Sequence, residues 1–373
     1  MHFEVTTGGA LSSDRRHVGR VHSAANDLEA FANGIATLVE HLVRKRGYTC
    51  IKWLSVINEP GSNFSWWQTP PNRPEPIKPA LAAVRKALDA RGLNIPLSGP
   101  DAMYGFPATI PGMHNCLSLL DAYDFHDYAV DFDFRCKGRL AKQVSNARLW
   151  IQQARNEKKP VFVTEFGSMS YGWKPDKEGP NSPPAVLAAS EYIIRLANAG
   201  VDGFNRWSFL NRGDLDGQWQ FVDTWDRKEK KLLAEYAPHH NSYFGLGLLS
   251  RFTAKNSTVL ASTVSPVMVD GFQRVFCAGF RSPKGNITIA IINDAPTDMP
   301  LKLTVSGKSG NDPIWRYRYS KAEYNRIDVQ VDPQPVAGTD AWADTLPGGS
   351  LTVYSTYKLD HTMPGVIAEV EKK

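Results

Sequence analysis

The sequence predicts an α/β protein in two parts: a (β/α)8 barrel of the TIM type, incomplete at its N-terminus, followed by an all-β antiparallel sandwich. Three observations carry this. From Leu28 to Phe209 short β-branched runs alternate with amphipathic helical stretches, the pattern of a parallel sheet with helices outside it. No Gly-x-Gly-x-x-Gly follows any of those runs, which counts against a doubly wound nucleotide-binding sheet. After Pro238 the runs become short, β-branched or aromatic, and separated by Gly, Pro, Asn or Asp. The expected boundary divides residues 1–238 from residues 239–373.

In order, His2 to Thr7 reads as a short strand and Gly8 to Asn26 as a polar loop. Asp27 is a helix N-cap. Leu28, Phe31, Ile35, Leu38, Val39, Leu42 and Val43 then recur at helical spacing until Gly47 caps the C-terminus. Ile51–Ile57 is a buried strand. Ile77–Ala90 is a helix stopped by Gly92, Ile95–Ser98 a strand, and Gly99–Gly112 a loop. Tyr123–His126 is a strand, Gly138–Glu157 a helix and Pro160–Thr164 an apolar strand. Pro184–Ala199 is a helix stopped by Gly200, and Gly203–Phe209 a strand. The sandwich strands include Val267–Asp270, Phe272–Phe280, Ile287–Asn293, Leu301–Val305 and Leu351–Tyr357, with a frayed tail from Ile367.

Composition narrows the function. A hydrophobic content of 42% and a net charge of +5 describe an ordinary globular chain. Lys and Arg are scattered except at Arg227–Lys231, read as a solvated segment, so no nucleic-acid partner is expected. No apolar run is long enough for a membrane span. Four cysteines show no Cys-x-x-Cys spacing, which argues against zinc. Cys50 and Cys277 lie in strand-like runs and are expected to be buried. Cys116 and Cys136 could pair across two loops, which the sequence leaves open. Asp214-Leu215-Asp216-Gly217 lacks the later glutamate of a calcium loop, so neither metal nor cofactor is expected. The sequons at Asn63, Asn256 and Asn286 are of a kind common by chance.

Chemistry concentrates at two strand ends. The Ile51–Ile57 run stops at Asn58-Glu59-Pro60, where proline ends the ladder and presents Glu59 at the C-terminal edge. Val161-Phe162-Val163-Thr164-Glu165 presents Glu165 in the same way, about three strand–helix units later. In a barrel both would enter one cleft. Two carboxyl groups about 5–5.5 Å apart are the arrangement of a retaining glycosidase, one attacking the anomeric carbon and the other transferring the proton. The roles need different proton affinities, and like-charge repulsion can raise one of them. A single such glutamate is more simply a surface acid at a turn. The pair, each ending a strand, points to catalysis. Aromatic residues after the strands, Trp66, Trp67, Trp173, Trp207, Trp219 and Trp225, offer faces to sugar rings. Trp225 and Trp67 are expected instead to anchor loops. The polar stretch from Asn205 to Trp219, with Asn211, reads as a sugar-contacting loop.

Asn58-Glu59-Pro60, Glu165 and His126-Asp127-Tyr128 together resemble the clan of glycoside hydrolases that includes families 5, 30, 39 and 51. The resemblance implies that Glu59, on the fourth barrel strand, is the acid/base and that Asn58 binds the sugar 2-hydroxyl. Glu165, on the seventh, would be the nucleophile. His126 and Tyr128 on strand six would line the cleft, and Trp207 after strand eight would floor the sugar subsite. It implies a β-linked oligo- or polysaccharide substrate and, for a full-length parent, an extracellular or periplasmic setting. The chain departs from the pattern at its start. Only one helix and one short strand precede the fourth strand, so the first strands are expected to be missing, and the clan's strand-two arginine has no counterpart. A barrel open at that edge would expose apolar strands, inviting self-association. It also keeps a second class in view, a catalytically impaired carbohydrate-binding remnant. A purely structural sandwich protein leaves the paired glutamates unexplained.

Overall fold

The computed structural model describes residues 2–4, 25, 27–60, 67–69, 73–74, 77–103, 113–128, 137–167, 179–210, 219–226, 228–306, 312–324, 333–336 and 340–359. They fall into two compact units. The first comprises Met1–Val130, Lys142–Gly167 and Ala199–Trp207; the second comprises Asp131–Ala141, Ser168–Asn198 and Ser208–Lys373.

The first unit is built on strands β1 (His2–Glu4), β2 (Trp53–Ser55), β3 (Leu97–Met103), β4 (Ala122–Asp127), β5 (Val161–Phe166) and β6 (Gly203–Arg206). All neighbours are parallel, and their order in the sheet is their order in the chain. A doubly wound sheet would reverse direction at a switch point, whereas this order is that of a (β/α) barrel wall, here an incomplete one. The central strands are largely buried, as parallel strands under helices are. Leu54, Ser55, Val56 and Ile57 are all buried, and so are all six residues of β4.

Each helix forms for a local reason. Asp27 caps α1 (Leu28–Glu40), its Oδ1 accepting from the Glu29 and Ala30 amides at 3.0 and 2.9 Å. Ala32, Ile35, Ala36 and Val39 form its buried stripe. Beyond Glu40 the helix widens: the Arg46 amide donates to the His41 carbonyl at 2.9 Å, and Gly47 at φ +70° ends the turn. In α2 (Ile77–Ala90) the stripe is Ile77, Ala80, Leu81, Val84 and Leu88. In α3 (Lys137–Asn156) it is Leu140, Val144, Ala147, Ile151 and Ala154.

Two expectations need correction here. Strand β3 does not stop at Ser98 but continues through Gly99-Pro100-Asp101 to Met103. Those residues read as turn chemistry, yet a shift in register between Gly99 and Ala102 lets the ladder resume beyond them. Cys50 is exposed rather than buried, because β2 begins only at Trp53 and Cys50 lies in the preceding turn. Cys277 is half-buried. Cys116 is buried, and Cys136 lies outside the described residues.

The second unit contains helix α4 (Pro183–Ala199) and a six-stranded antiparallel sheet. The strand order in that sheet is Thr258–Leu260, Val275–Arg281, Ile287–Asn293, Ser350–Ser355, Ile314–Tyr319 and Gln334–Val336. A two-stranded ribbon, Met299–Thr304 with Ala341–Leu346, forms the second layer. Val275, Ile287, Ile289, Ile291, Ile314, Trp342, Leu346 and Tyr354 fill the space between the layers, as a sandwich requires. The basic run read as a solvated segment includes the turn, residues 228–230, of a hairpin joining Val222–Asp226 to Lys231–Pro238.

The sandwich core also holds charge. Asp344 on the ribbon accepts from Arg316 Nη1 at 3.0 Å, Arg318 Nη2 at 3.0 Å and the Tyr354 hydroxyl at 2.6 Å. Burial alone would raise its carboxyl. The donated hydrogen bonds and Arg316 outweigh burial and hold it below the usual carboxylate range. Asp344→Ala is therefore expected to cost about 3 kcal/mol in equilibrium unfolding, since it strands two guanidinium groups without their counter-ion. The depressed affinity also fixes a sign. The stabilisation from Asp344 is present above the usual carboxylate range and is lost as acid protonates it.

Candidate active site

Glu59 follows β2 and Asp101 lies within the adjacent β3, and both have left-handed backbone, with φ of +44° and +58°. Residues other than glycine seldom adopt that conformation, and it costs of order 1 kcal/mol or more each. The two are tied to each other: the Glu59 amide donates to the Asp101 carbonyl at 3.0 Å.

Register slips then level the neighbouring side chains. Along β4 and β5, Phe125 pairs with Val163 but His126 pairs with Glu165, leaving Thr164 as an extra residue. Along β3 and β4, Pro100 and Asp101 both fall between the paired positions Gly99–Tyr123 and Ala102–Phe125. Another slip separates Val163 from Phe166 opposite β6. Bulges re-aim side chains, and here all three occur at the strand ends that carry polar groups.

The outcome is a cluster around His126, which is fully buried. Its Nδ1 donates to Glu59 Oε1 at 2.8 Å and faces Glu165 Oε2 at 3.4 Å. Its Nε2 donates to Asp101 Oδ1 at 3.0 Å. Burial opposes the charged imidazole, but Asp101, Glu165 and Glu59 overcome it, so His126 is held well above its ordinary range as an imidazolium. The Tyr128 hydroxyl donates to Glu165 Oε2 at 2.7 Å. Burial and the Glu165 charge keep Tyr128 protonated far above the usual tyrosine range. Burial pushes the Glu165 carboxyl up to about 7. Glu59 and Asp101 add to that push, while His126 and the Tyr128 hydroxyl oppose it. Three carboxylates around one imidazolium carry excess negative charge, and a retained proton relieves it.

Glu59, His126 and Glu165 each bring a donor atom within 4.8 Å of the other two. Held as an imidazolium by the surrounding carboxylates, His126 has no lone pair to give a cation.

Of the residues singled out from the sequence, Asn58, Glu59, His126, Tyr128 and Glu165 lie in this one unit, at or just beyond the C-terminal ends of β2, β4 and β5. Trp207 follows β6, half-buried, its amide donating to the Phe166 carbonyl at 2.9 Å. Trp219 is buried within the second unit. Trp67 is buried and packs on Phe31 with ring centroids 5.4 Å apart, which fits a loop anchor. Trp66, Trp173 and Asn211 lie outside the described residues. One participant, Asp101, carries no expectation from the sequence beyond a place in the Gly99–Gly112 loop, and Arg206 belongs to the stretch read as sugar-contacting. Arg206, on β6, lies within electrostatic range of the Tyr128 side chain; burial draws its guanidinium down to about 10, which leaves it a cation at neutral pH. An acid after Gly-Pro at a strand end was the only signal that could have exposed Asp101.

No protein-family profile and no curated protein sequence matches this chain. Solved structures do. The catalytic domain of GH30 xylanase C from Talaromyces cellulolyticus aligns at 15% identity with a TM-score of 0.59, covering 88% of this chain and 67% of that one. The GH51 arabinofuranosidase from Xanthomonas axonopodis pv. citri aligns at 16% identity and a TM-score of 0.59, over 90% and 74% of the two chains. A conserved exported protein from Bacteroides fragilis aligns at 12% identity and a TM-score of 0.64, over 90% and 72%. At such identities the likeness is one of fold. The chain shares its fold with the xylanase and the arabinofuranosidase.

Proposed function

We propose that this protein is a retaining glycosidase that hydrolyses O-glycosidic bonds of a β-linked oligo- or polysaccharide by double displacement. Glu165 is the nucleophile and Glu59 the acid/base. The observation that carries the reading is the separation of the pair: carboxylate oxygens of Glu59 and Glu165 approach within 4.8 Å. That is close to the ~5–5.5 Å of retaining enzymes and short of the ~6.5–9.5 Å that leaves room for a water in inverting ones. The fold shared with xylanases and an arabinofuranosidase supports the same reading.

In this scheme Glu165 attacks the anomeric carbon while Glu59 gives its proton to the leaving oxygen. Glu59 then takes a proton from the water that releases the sugar from Glu165. By proton affinity alone the roles would be reversed, because Glu165 is the group pushed up to about 7. Both carboxylates receive a hydrogen bond, Glu59 from His126 and Glu165 from Tyr128, so the assignment follows the resemblance, with Glu59 after Asn58 as the acid/base and Glu165 on the later strand as the nucleophile. When Glu165 is ionised, the Tyr128 hydroxyl donates to it and stabilises the anion that attacks. Asn58 and Trp207 are read as sugar contacts, with Trp66, Trp173 and Asn211 as further candidates, whereas the burial of Trp219 leaves it no face to offer a sugar. A polymeric substrate fits an extracellular or periplasmic setting. Among the described residues no helix is long and apolar enough to cross a membrane.

The test is turnover on a panel of aryl β-glycosides and β-linked polysaccharides. Hydrolysis of at least one is expected. Sugar affinity without turnover of any would favour the binding-remnant reading, for which the incomplete barrel is the supporting observation. The pH profile adds a sign. Attack needs ionised Glu165, so kcat/KM is expected to fall about tenfold per unit of pH below about 7. A profile flat from pH 5 to 7 would contradict the assignment.

A further inference from the structure

We propose that Asp101 is a positioning residue for the acid/base: it holds His126 with Nδ1 aimed at Glu59, and it locks the strand ends bearing Glu59 and Glu165 into one frame. The proposal rests on the glycosidase reading above for its consequence in turnover, but its structural content stands independently.

Four contacts converge on this one residue. Its Oδ1 accepts from His126 Nε2 at 3.0 Å and from the Thr164 hydroxyl at 2.6 Å. Its carbonyl accepts from the Glu59 amide at 3.0 Å, and its own amide donates to Asp124 Oδ1 at 2.7 Å. Through these bonds Asp101 reaches the residue after β2 that is the acid/base, the β4 histidine that touches it, and the β5 residue just before the nucleophile. It is fully buried and sits at a left-handed backbone position. A buried carboxylate at a strained position is costly unless its surroundings hold it there, and such strain collects at functional sites. Asp101 contacts the reacting carboxylates only through His126 and backbone, so it is not itself a catalytic residue.

The physical role follows from the imidazole. A neutral ring could present either an N–H or a lone pair at Nδ1. With Asp101 accepting at Nε2 and its charge favouring the cation, both nitrogens carry protons, and Nδ1 can only donate to Glu59. The charged groups facing His126 are Glu59 after β2, Asp101 on β3 and Glu165 on β5; Tyr128 just beyond β4 is bound to Glu165, and Thr164 on β5 to Asp101. Asp124 is bound to Asp101, and Arg206 on β6 lies near Tyr128. Among the described residues His126 is therefore the cation in contact with three carboxylates, and Asp101 is the one of the three that does no chemistry.

The test is Asp101→Asn, which keeps the shape and an acceptor oxygen but removes the charge. Nitrogen-15 NMR of the histidine rings, with His126 assigned by its loss in His126→Gln, reads the ring directly. In the wild type both ring nitrogens of His126 are expected to stay protonated at pH 7. In Asp101→Asn the ring is expected to titrate at least about one unit lower. In turnover kcat is expected to fall by about tenfold or more at pH 7, with KM within about threefold and the alkaline limb of the kcat profile moved to lower pH. Thr164→Val, which removes only the hydroxyl that fixes Asp101, is expected to shift both readouts in the same direction by less, and it serves should Asp101→Asn not fold. A wild-type His126 that is neutral at pH 7 overturns the proposal, as does an Asp101→Asn protein with unchanged ring titration and unchanged kcat. If the wild type turns over no glycoside, the glycosidase reading fails, while the NMR titration still decides whether Asp101 holds His126.

Discussion

Replacing Glu165 with alanine is expected to abolish glycoside turnover, lowering kcat by roughly 10⁴-fold or more. The size follows from what the side chain does in the proposed mechanism. Without it no covalent intermediate forms, and the reaction must await direct attack by water at a site shaped for a carboxylate. The loss should be similar for good and poor leaving groups, because the missing atom is the attacking one. Folding should survive. The Glu165 carboxyl is costly where it sits: burial and two neighbouring carboxylates push it up to about 7. Removing it relieves that repulsion and leaves His126 still bonded to Glu59 and Asp101. Circular dichroism and unfolding curves close to wild type, together with lost activity, would place the effect in chemistry. Retention of more than about a tenth of wild-type kcat by Glu165→Ala would remove Glu165 from the nucleophile role.

Glu59→Gln is expected to behave differently, and the difference is diagnostic. Proton transfer by a positioned carboxyl contributes about 10²–10⁴-fold, and its weight depends on how badly the leaving oxygen needs a proton. Activity on alkyl glycosides and polysaccharides should fall by that range. Activity on aryl glycosides with strongly acidic phenols should fall far less in the first step. A leaving-group series measured on both variants tests this. A steep dependence for Glu59→Gln and a shallow one for Glu165→Ala supports the roles assigned here. The reverse pattern would exchange them, in line with the raised affinity of Glu165.

Much of the site was legible in the sequence because it was written locally. Asn58-Glu59-Pro60 and the run ending in Glu165 each announce an acid at the end of a buried strand, and strand–helix alternation indicates that such ends share a side of the sheet. His126 and Tyr128 entered through the resemblance of His126-Asp127-Tyr128 to the glycoside hydrolase clan. The register was not legible. His126 lies level with Glu165 only because Thr164 is an extra residue, and pairing slips have no signature in single-strand hydrophobicity. The same holds for Asp101. Gly99-Pro100 reads as a turn by every local rule, yet here the ladder resumes past it and the aspartate enters the core. Its role depends on contacts with residues 42 positions before it in the chain and 25 and 63 after it. In the sandwich, Ile287–Asn293 was read correctly because a strand buried on both faces is a continuous apolar run. Ile314–Tyr319, which carries Arg316 and Arg318, was missed because charge inside a core breaks the pattern that marks a strand.

The measurement that bears most directly on the central claim is the anomeric configuration of the first-formed product, followed by proton NMR on a β-glycoside substrate before mutarotation. Two carboxylates whose oxygens come within 4.8 Å, with Glu165 as nucleophile, require two inversions and therefore net retention: the β-anomer should appear first and the α-anomer should grow in only by mutarotation. Initial release of the α-anomer would mean a single displacement by water, which contradicts the assignment of Glu165 as a nucleophile.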